Sequence, residues 1–302
     1  MASAPDASAL LICRTCGTQF ATANRQAVTT CFICDDPRQY APPSGQSFTT
    51  MADLASGHRN EFHPYAPDPD RVISIVTTPK VAIGQRCILL RTPAGNILWD
   101  CITLLDADTI SQIKALGGLH GILISHPHYY SAHVEWAAAF DCPVYLAAED
   151  KQWLARGDRR QVLLEGVTTP IKVGARETGI TAIKLGGHFP GSLVALLDGR
   201  LFIADTLLTT PSGLGNWATD AVGTARKRPQ GMNTFAFMWS IPNSIPLSAA
   251  EMGRMWNILK SHDFRSTHGA FEGTDIEDRD IKERVLESMQ IQARSMGSTL
   301  AA

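Results

Sequence analysis

The chain has 302 residues, with 27 Lys and Arg against 29 Asp and Glu, a formal charge of −2 at neutral pH. At 44% hydrophobic and 19% charged residues it can bury a full core, which excludes disorder for most of its length, and so balanced a charge excludes a general attraction to nucleic acid. No apolar run approaches the ~20 residues of a bilayer span, and the first residues lack the basic and long apolar regions of a signal peptide.

Taken from the start of the chain, Cys13-Arg-Thr-Cys16-Gly17 and Cys31-Phe-Ile-Cys34 form two CxxC pairs. Each pair turns two thiolates toward one point, and two pairs complete a tetrahedral four-sulfur site. This favours a structural metal in a reducing, cytoplasmic compartment over secretion with disulfides. Zinc is the expected occupant, and iron is the alternative, because Cys-x-x-Cys-Gly also opens rubredoxin sites. A zinc-ribbon-like segment over residues 1–45 is too small to bury a core alone, so its role is read as structural. Residues 46–71, with Pro64, Pro67 and Pro69, read as a connector with little regular structure.

Beyond it the pattern alternates. Strands are expected at Val72–Val76, Cys87–Arg91 and Ile97–Asp100, then a helix spaced by Ile110, Ile113 and Leu116. Gly121–Ser125 and Val144–Ala147 read as strands, followed by a polar helix over Glu149–Arg156. Ile180–Leu185, then Leu193–Leu197 and Leu201–Ala204 joined by Asp198-Gly199, are further strands. Ser248-Ala-Ala-Glu251 is a capping box that opens a helix to Lys260. Phe264–Thr267 delivers His268, and Ile276–Met296 is read as a last amphipathic helix. The alternation of strands and helices makes residues 72–302 an α/β domain.

The polar groups cluster at the carboxyl ends of these strands, where α/β folds gather their sites. They are Asp100, then Ser125-His126-Pro127-His128-Tyr129-Tyr130-Ser131-Ala132-His133, then Gly186-Gly187-His188, Asp205 and His268. In this order they resemble the metallo-β-lactamase fold superfamily, from about Val72 to His268. The resemblance implies an αββα sandwich with a metal cleft at one edge of the two sheets. It further implies that His126, His128 and His188 hold a first metal, with Asp205 bridging, His268 on a second metal, and Asp100 a buried orienting residue. The superfamily's His-x-His-x-Asp-His is broken here, since Tyr130 and Ser131 stand where the Asp and His belong. A single tightly held ion is therefore expected. His133 is either a substitute ligand or the first turn of a helix. Tyr130 either donates to an oxyanion from the cleft wall or packs in the core.

Three imidazoles leave a cation such as zinc with an open position, where bound water ionises near neutral pH and attacks a carbonyl. The expected function is therefore a metallo-hydrolase opening a small cyclic amide or ester (lactam or lactone), with detoxification as the expected role, a small-molecule substrate and no nucleic-acid or membrane partner. The alternatives are an iron-dependent redox enzyme acting on persulfides or oxygen, and a non-catalytic binding protein that lost its second metal. Trp217, Phe235, Phe237 and Trp239, which follow the fourth motif, either form an apolar wall for the substrate or pack the second half of the fold.

Overall fold

The computed structural model describes residues 6–300. Seven strands form one sheet, in the order Arg59–Pro64, Val72–Thr78, Arg86–Thr92, Gly95–Trp99, Gly121–Leu123, Val144–Ala147 and Gln161–Leu164. The first four pair antiparallel and the last four parallel. The switch follows from the connections. A tight turn joins Arg86–Thr92 to Gly95–Trp99, whereas the helices Ala107–Ala115 and His133–Phe140 carry the chain back for parallel pairing.

A second sheet of six strands runs Thr168–Val173, Arg176–Lys184, Leu193–Leu197, Arg200–Phe202, Ser266–His268 and Ile276–Glu277. It is antiparallel except where Arg200–Phe202 lies parallel to Ser266–His268. The strands alternate faces, and both faces are buried. Ile88 and Leu90 pack between the sheets with Ile97, Trp99, Ile180, Ala195 and Phe202. Cys87 and Leu89 point the other way, toward Ile113 and Trp136 of the outer helices. On the far side Val194, Leu201 and Ile203 meet Met252, Met255, Leu259, Val285 and Met289. These layers make the αββα sandwich. Among the described residues no helix is long and apolar enough to cross a membrane.

Several local expectations change. The helix Ala249–Leu259 starts at Ser248, whose hydroxyl accepts from the Glu251 amide at 3.2 Å. Glu251 itself pairs with Arg254 and does not reach back to complete the box. The last helix is Ile281–Ser295, because Ile276 and Glu277 pair with Thr267 and Ser266 as an edge strand. The polar stretch after Ala147 is a 3₁₀ turn, Ala148–Trp153.

The connector expected over residues 46–71 is built differently. Phe48–Thr50 pairs antiparallel with Leu11–Cys13, closing a loop that contains all four CxxC cysteines. Thr50 caps a short helix, Met51–Ala55. Arg59–Pro64 is the edge strand of the large sheet, and its polar sequence suits an edge more than a core strand. The cysteine segment is not a separate body either. Leu11, Ile12, Cys13 and Ile33 share one core with Ile75, Leu89, Leu98 and Trp136.

Candidate metal centre

The cleft is assembled from strand ends. Asp100 follows Gly95–Trp99 with φ +61°, a left-handed conformation that aspartate tolerates better than most residues. Its carboxylate accepts from the Ser125 amide at 2.7 Å, and Ser125 Oγ is hydrogen-bonded to His126 Nδ1 at 2.9 Å. That chain leaves His126 Nε2 facing the cleft. Burial raises the Asp100 carboxyl to about 7. His188 follows Gly186 and Gly187, both at positive φ. A Cβ at Gly187 would come within 2.5 Å of Thr206 Oγ1 and 2.8 Å of Leu247 Cδ1, so only glycine passes here. His188 Nδ1 donates to the Trp239 carbonyl at 2.9 Å, which fixes its tautomer and turns the Nε2 lone pair inward.

Asp205 Oδ2 lies 3.3 Å from His126 Nε2, 3.6 Å from His128 Nδ1 and 3.7 Å from His188 Nε2. One donor atom from each of these four buried residues falls within 4.8 Å of the other three. His126 Nε2, His128 Nε2 and Asp205 Oδ1 are buried without a hydrogen-bond partner. Buried polar atoms are rarely left so, and a cation beside His126 Nε2 and the Asp205 carboxylate would satisfy those groups. Burial opposes the charge on Asp205, but the nearby histidines outweigh it and hold the carboxyl well below its usual range. Burial lowers His128, and lowers His188 further, so both favour the neutral ring that binds a metal.

The four cysteines converge as well. Cys13 and Cys34 sulfurs are 3.6 Å apart, and Cys16 and Cys31 sulfurs 3.7 Å. Sulfurs at ~2.3 Å around a tetrahedral ion sit about 3.8 Å apart, so the cage has the right size. Gly17 closes the first knuckle by donating its backbone N–H to the Cys13 carbonyl.

A family model described as the metallo-beta-lactamase superfamily matches residues 82–258. The chain belongs to that superfamily. It is 36% identical over 279 residues to a protein of Bacillus subtilis (strain 168) described as uncharacterized protein YmaE, covering 92% of each chain. It shares the fold of the VMB-1 structure (TM-score 0.52, 11% identity, 78% of this chain and 98% of that one). The DIM-1 metallo-beta-lactamase is similar to the same degree (TM-score 0.51, 13% identity, 78% and 98%).

Measured against the superfamily's ligand order, the structure gathers His126, His128, His188 and Asp205 and leaves the rest outside. His268 does not join the four. Its Nδ1 lies 3.2 Å from Asp275 Oδ1 and its Nε2 3.3 Å from Ser266 Oγ, with the ring stacked on Phe202. Asp275 in turn holds the buried Arg86 guanidinium. The histidine expected on a second metal is thus tied into an ion network. Asp205 is grouped with the three histidines at one site.

His133 is not a ligand in this arrangement. It starts the helix His133–Phe140, donates from Nδ1 to the Tyr130 carbonyl at 2.7 Å and accepts at Nε2 from Gln161 at 2.8 Å. Tyr130 is buried with its hydroxyl donating to the Asp150 carbonyl at 3.2 Å, which removes the oxyanion donor from consideration.

The aromatic wall also resolves. Phe235 and Phe237 are fully buried core residues. Trp217 lies beside Arg226 and donates to the Ser212 carbonyl, in a surface hollow away from the histidines. Trp239 contributes its carbonyl to His188. The walls of the cleft are instead Arg38, Gln39 and Tyr40 from the cysteine segment, facing Ile83, Ile241 and Phe271 around a cavity of about 200 Å³. No sequence signal pointed to Arg38, whose neighbours in the fold come from three distant segments.

Proposed function

We propose that the protein hydrolyses a small cyclic amide or ester, a lactam or lactone, with one zinc ion in the histidine cleft. The observation that carries this is the convergence of His126, His128, His188 and Asp205, with unpartnered buried donor atoms, at the base of a small cavity. Three imidazoles and a carboxylate suit zinc, and the absence of a carboxylate at position 130 disfavours a di-iron pair. When bound, the ion would supply Lewis-acid polarisation of a carbonyl and a lowered pKa for water.

The chain's own residues prepare that chemistry. Asp100 and Ser125 hold the His126 ring, and the Trp239 carbonyl holds His188. Asp205 stays ionised and offsets the positive charge. Ile83, Leu208, Ile241 and Phe271 limit water and favour a compact apolar substrate. The involvement of His268 with Asp275 supports one ion in the cleft rather than two.

The test is a panel of lactams, lactones and thioesters assayed beside elemental analysis. His126→Ala and His188→Ala should each abolish turnover with the fold nearly intact. Retention of a tenth of the wild-type rate in either variant would overturn the assignment, because the ion's contribution far exceeds ~10-fold.

A further inference from the structure

We infer that the segment Asp36 to Tyr40 is the substrate-selecting wall of the cleft, and that Arg38 there takes an anionic oxygen of the substrate through Nη1. The inference rests on the hydrolase reading for the existence of a substrate. It goes beyond that reading in stating what the substrate carries: a carboxylate or similar anionic group on a compact apolar body.

The segment is fixed at both ends. It leaves the four-sulfur cage at Cys34, and Asn243 Nδ2 donates to the carbonyls of Pro37 at 3.0 Å and Gln39 at 3.1 Å. That amide ties it to the loop carrying Ile241 and Pro242, which also line the cavity. Arg38 is held more tightly still. Its guanidinium carbon is 4.3 Å from the Phe189 ring centre, 4.9 Å from Trp153 and 5.4 Å from Trp239. Phe189 is in turn 5.0 Å, ring centre to ring centre, from both His128 and His188. The arginine is therefore one aromatic ring removed from the metal ligands.

Asp36 accepts from Arg38 Nε and Nη2, both at 2.7 Å. Among the described residues Nη1 makes no hydrogen bond, although the Arg38 side chain is only 12% exposed. A purely structural ion pair accounts for Nε and Nη2 and leaves Nη1, on a side chain that lines the cavity, open to a ligand or to water. Because Asp36 neutralises the net charge, selection acts through a directed donor and not through a long-range field. An aromatic cage around the guanidinium lowers the entropy lost when that donor is used.

Trp153 and Trp239 lie beside the Arg38 guanidinium, so the test is a tryptophan fluorescence titration of the metal-loaded full chain. The probes are benzoate and benzamide, which share a ring and differ in the charged carboxylate. Benzoate should bind at least about 10-fold more tightly, as one charge-assisted hydrogen bond allows. In Arg38→Met the preference should fall below about 3-fold with metal content unchanged. Arg38→Gln gives the same comparison if the methionine variant does not fold. His126→Ala should keep the preference, since the proposed contact is not to the ion. Equal binding of the two probes by the wild type, a preference that survives loss of Arg38, or one lost in His126→Ala would each overturn the inference. None of these titrations needs turnover, so they can fail while the hydrolase reading stands, and succeed if no hydrolysis is found.

Discussion

The hydroxyl of Tyr130 has one partner, the Asp150 carbonyl, and its ring is sealed from the cleft. Tyr130→Phe should therefore cost about 0.5–1.5 kcal/mol of stability, the worth of one ordinary hydrogen bond, with turnover and metal content unchanged. Thermal unfolding and a rate measurement check this together; a 10²–10³-fold fall in rate would restore an oxyanion role. His133, next in the same turn, gives a pH-dependent prediction. Burial lowers its pKa from 6.5 to about 4, so the folded protein keeps a neutral ring that the unfolded chain protonates between those values. Its contribution is fully present above pH 6.5 and is lost as pH falls toward 4, by about 3 kcal/mol. His133→Gln should flatten the stability profile over that window, as read by urea unfolding at successive pH values. An unchanged slope would show that the ring is not buried neutral.

At the scale of elements, the strand pair Ser266–His268 and Ile276–Glu277 holds His268 beside Asp275. Asp275 joins it to Arg86. Burial alone would raise the Asp275 carboxyl, but His268 and then Arg86 outweigh it and bring it down to about 2 from 3.8. The stability this supplies is present above about pH 3.8 and disappears as pH falls through 2, a contribution of about 2 kcal/mol. Asp275→Asn should lose at least that much at pH 7, because it also leaves the Arg86 charge buried and short of a partner. The urea midpoint should fall while the metal held by His126, His128 and His188 remains. A short strand delivering His268 was expected from the sequence, and Ser266–His268 is one; the order of the motifs was legible too. The network around His268 was not, because Arg86, Asp275 and Phe202 are far apart in sequence and meet only through sheet pairing. The edge strand Arg59–Pro64 escaped for a related reason: with Arg59, Glu61 and His63 it shows no apolar alternation, and only its neighbour Val72–Thr78 makes it a strand. Gly187, by contrast, is readable in advance as a close approach before a histidine, and a Cβ there has no room.

Across the whole molecule, the two metal centres are joined by side chains and not only by the chain. Gln85 Nε2 donates to the carbonyls of both Cys16, at 3.3 Å, and His128, at 3.0 Å. Thr103 Oγ1 donates to the Gly17 carbonyl beneath the first knuckle. The cysteine segment thus forms part of the cleft's support as well as its wall, through residues such as Arg38 that the CxxC spacing alone does not announce. The wild-type protein should carry two ions per chain, one in each centre. Cys16→Ser combined with Cys34→Ser should remove one equivalent and lower the unfolding temperature by several degrees, because Leu11, Ile12 and Ile33 share the core of the large sheet. The remaining ion should be held more weakly, since loss of the cage's ion loosens the backbone whose carbonyl at position 16 anchors the Gln85 bridge. His126→Ala should remove the other equivalent with a smaller change in unfolding temperature, as no core side chain is lost. Elemental analysis of the three proteins, run beside their unfolding curves, separates the centres. A third equivalent in the wild type would mean that His268 leaves Asp275 to bind metal, and the single-ion cleft would have to be abandoned.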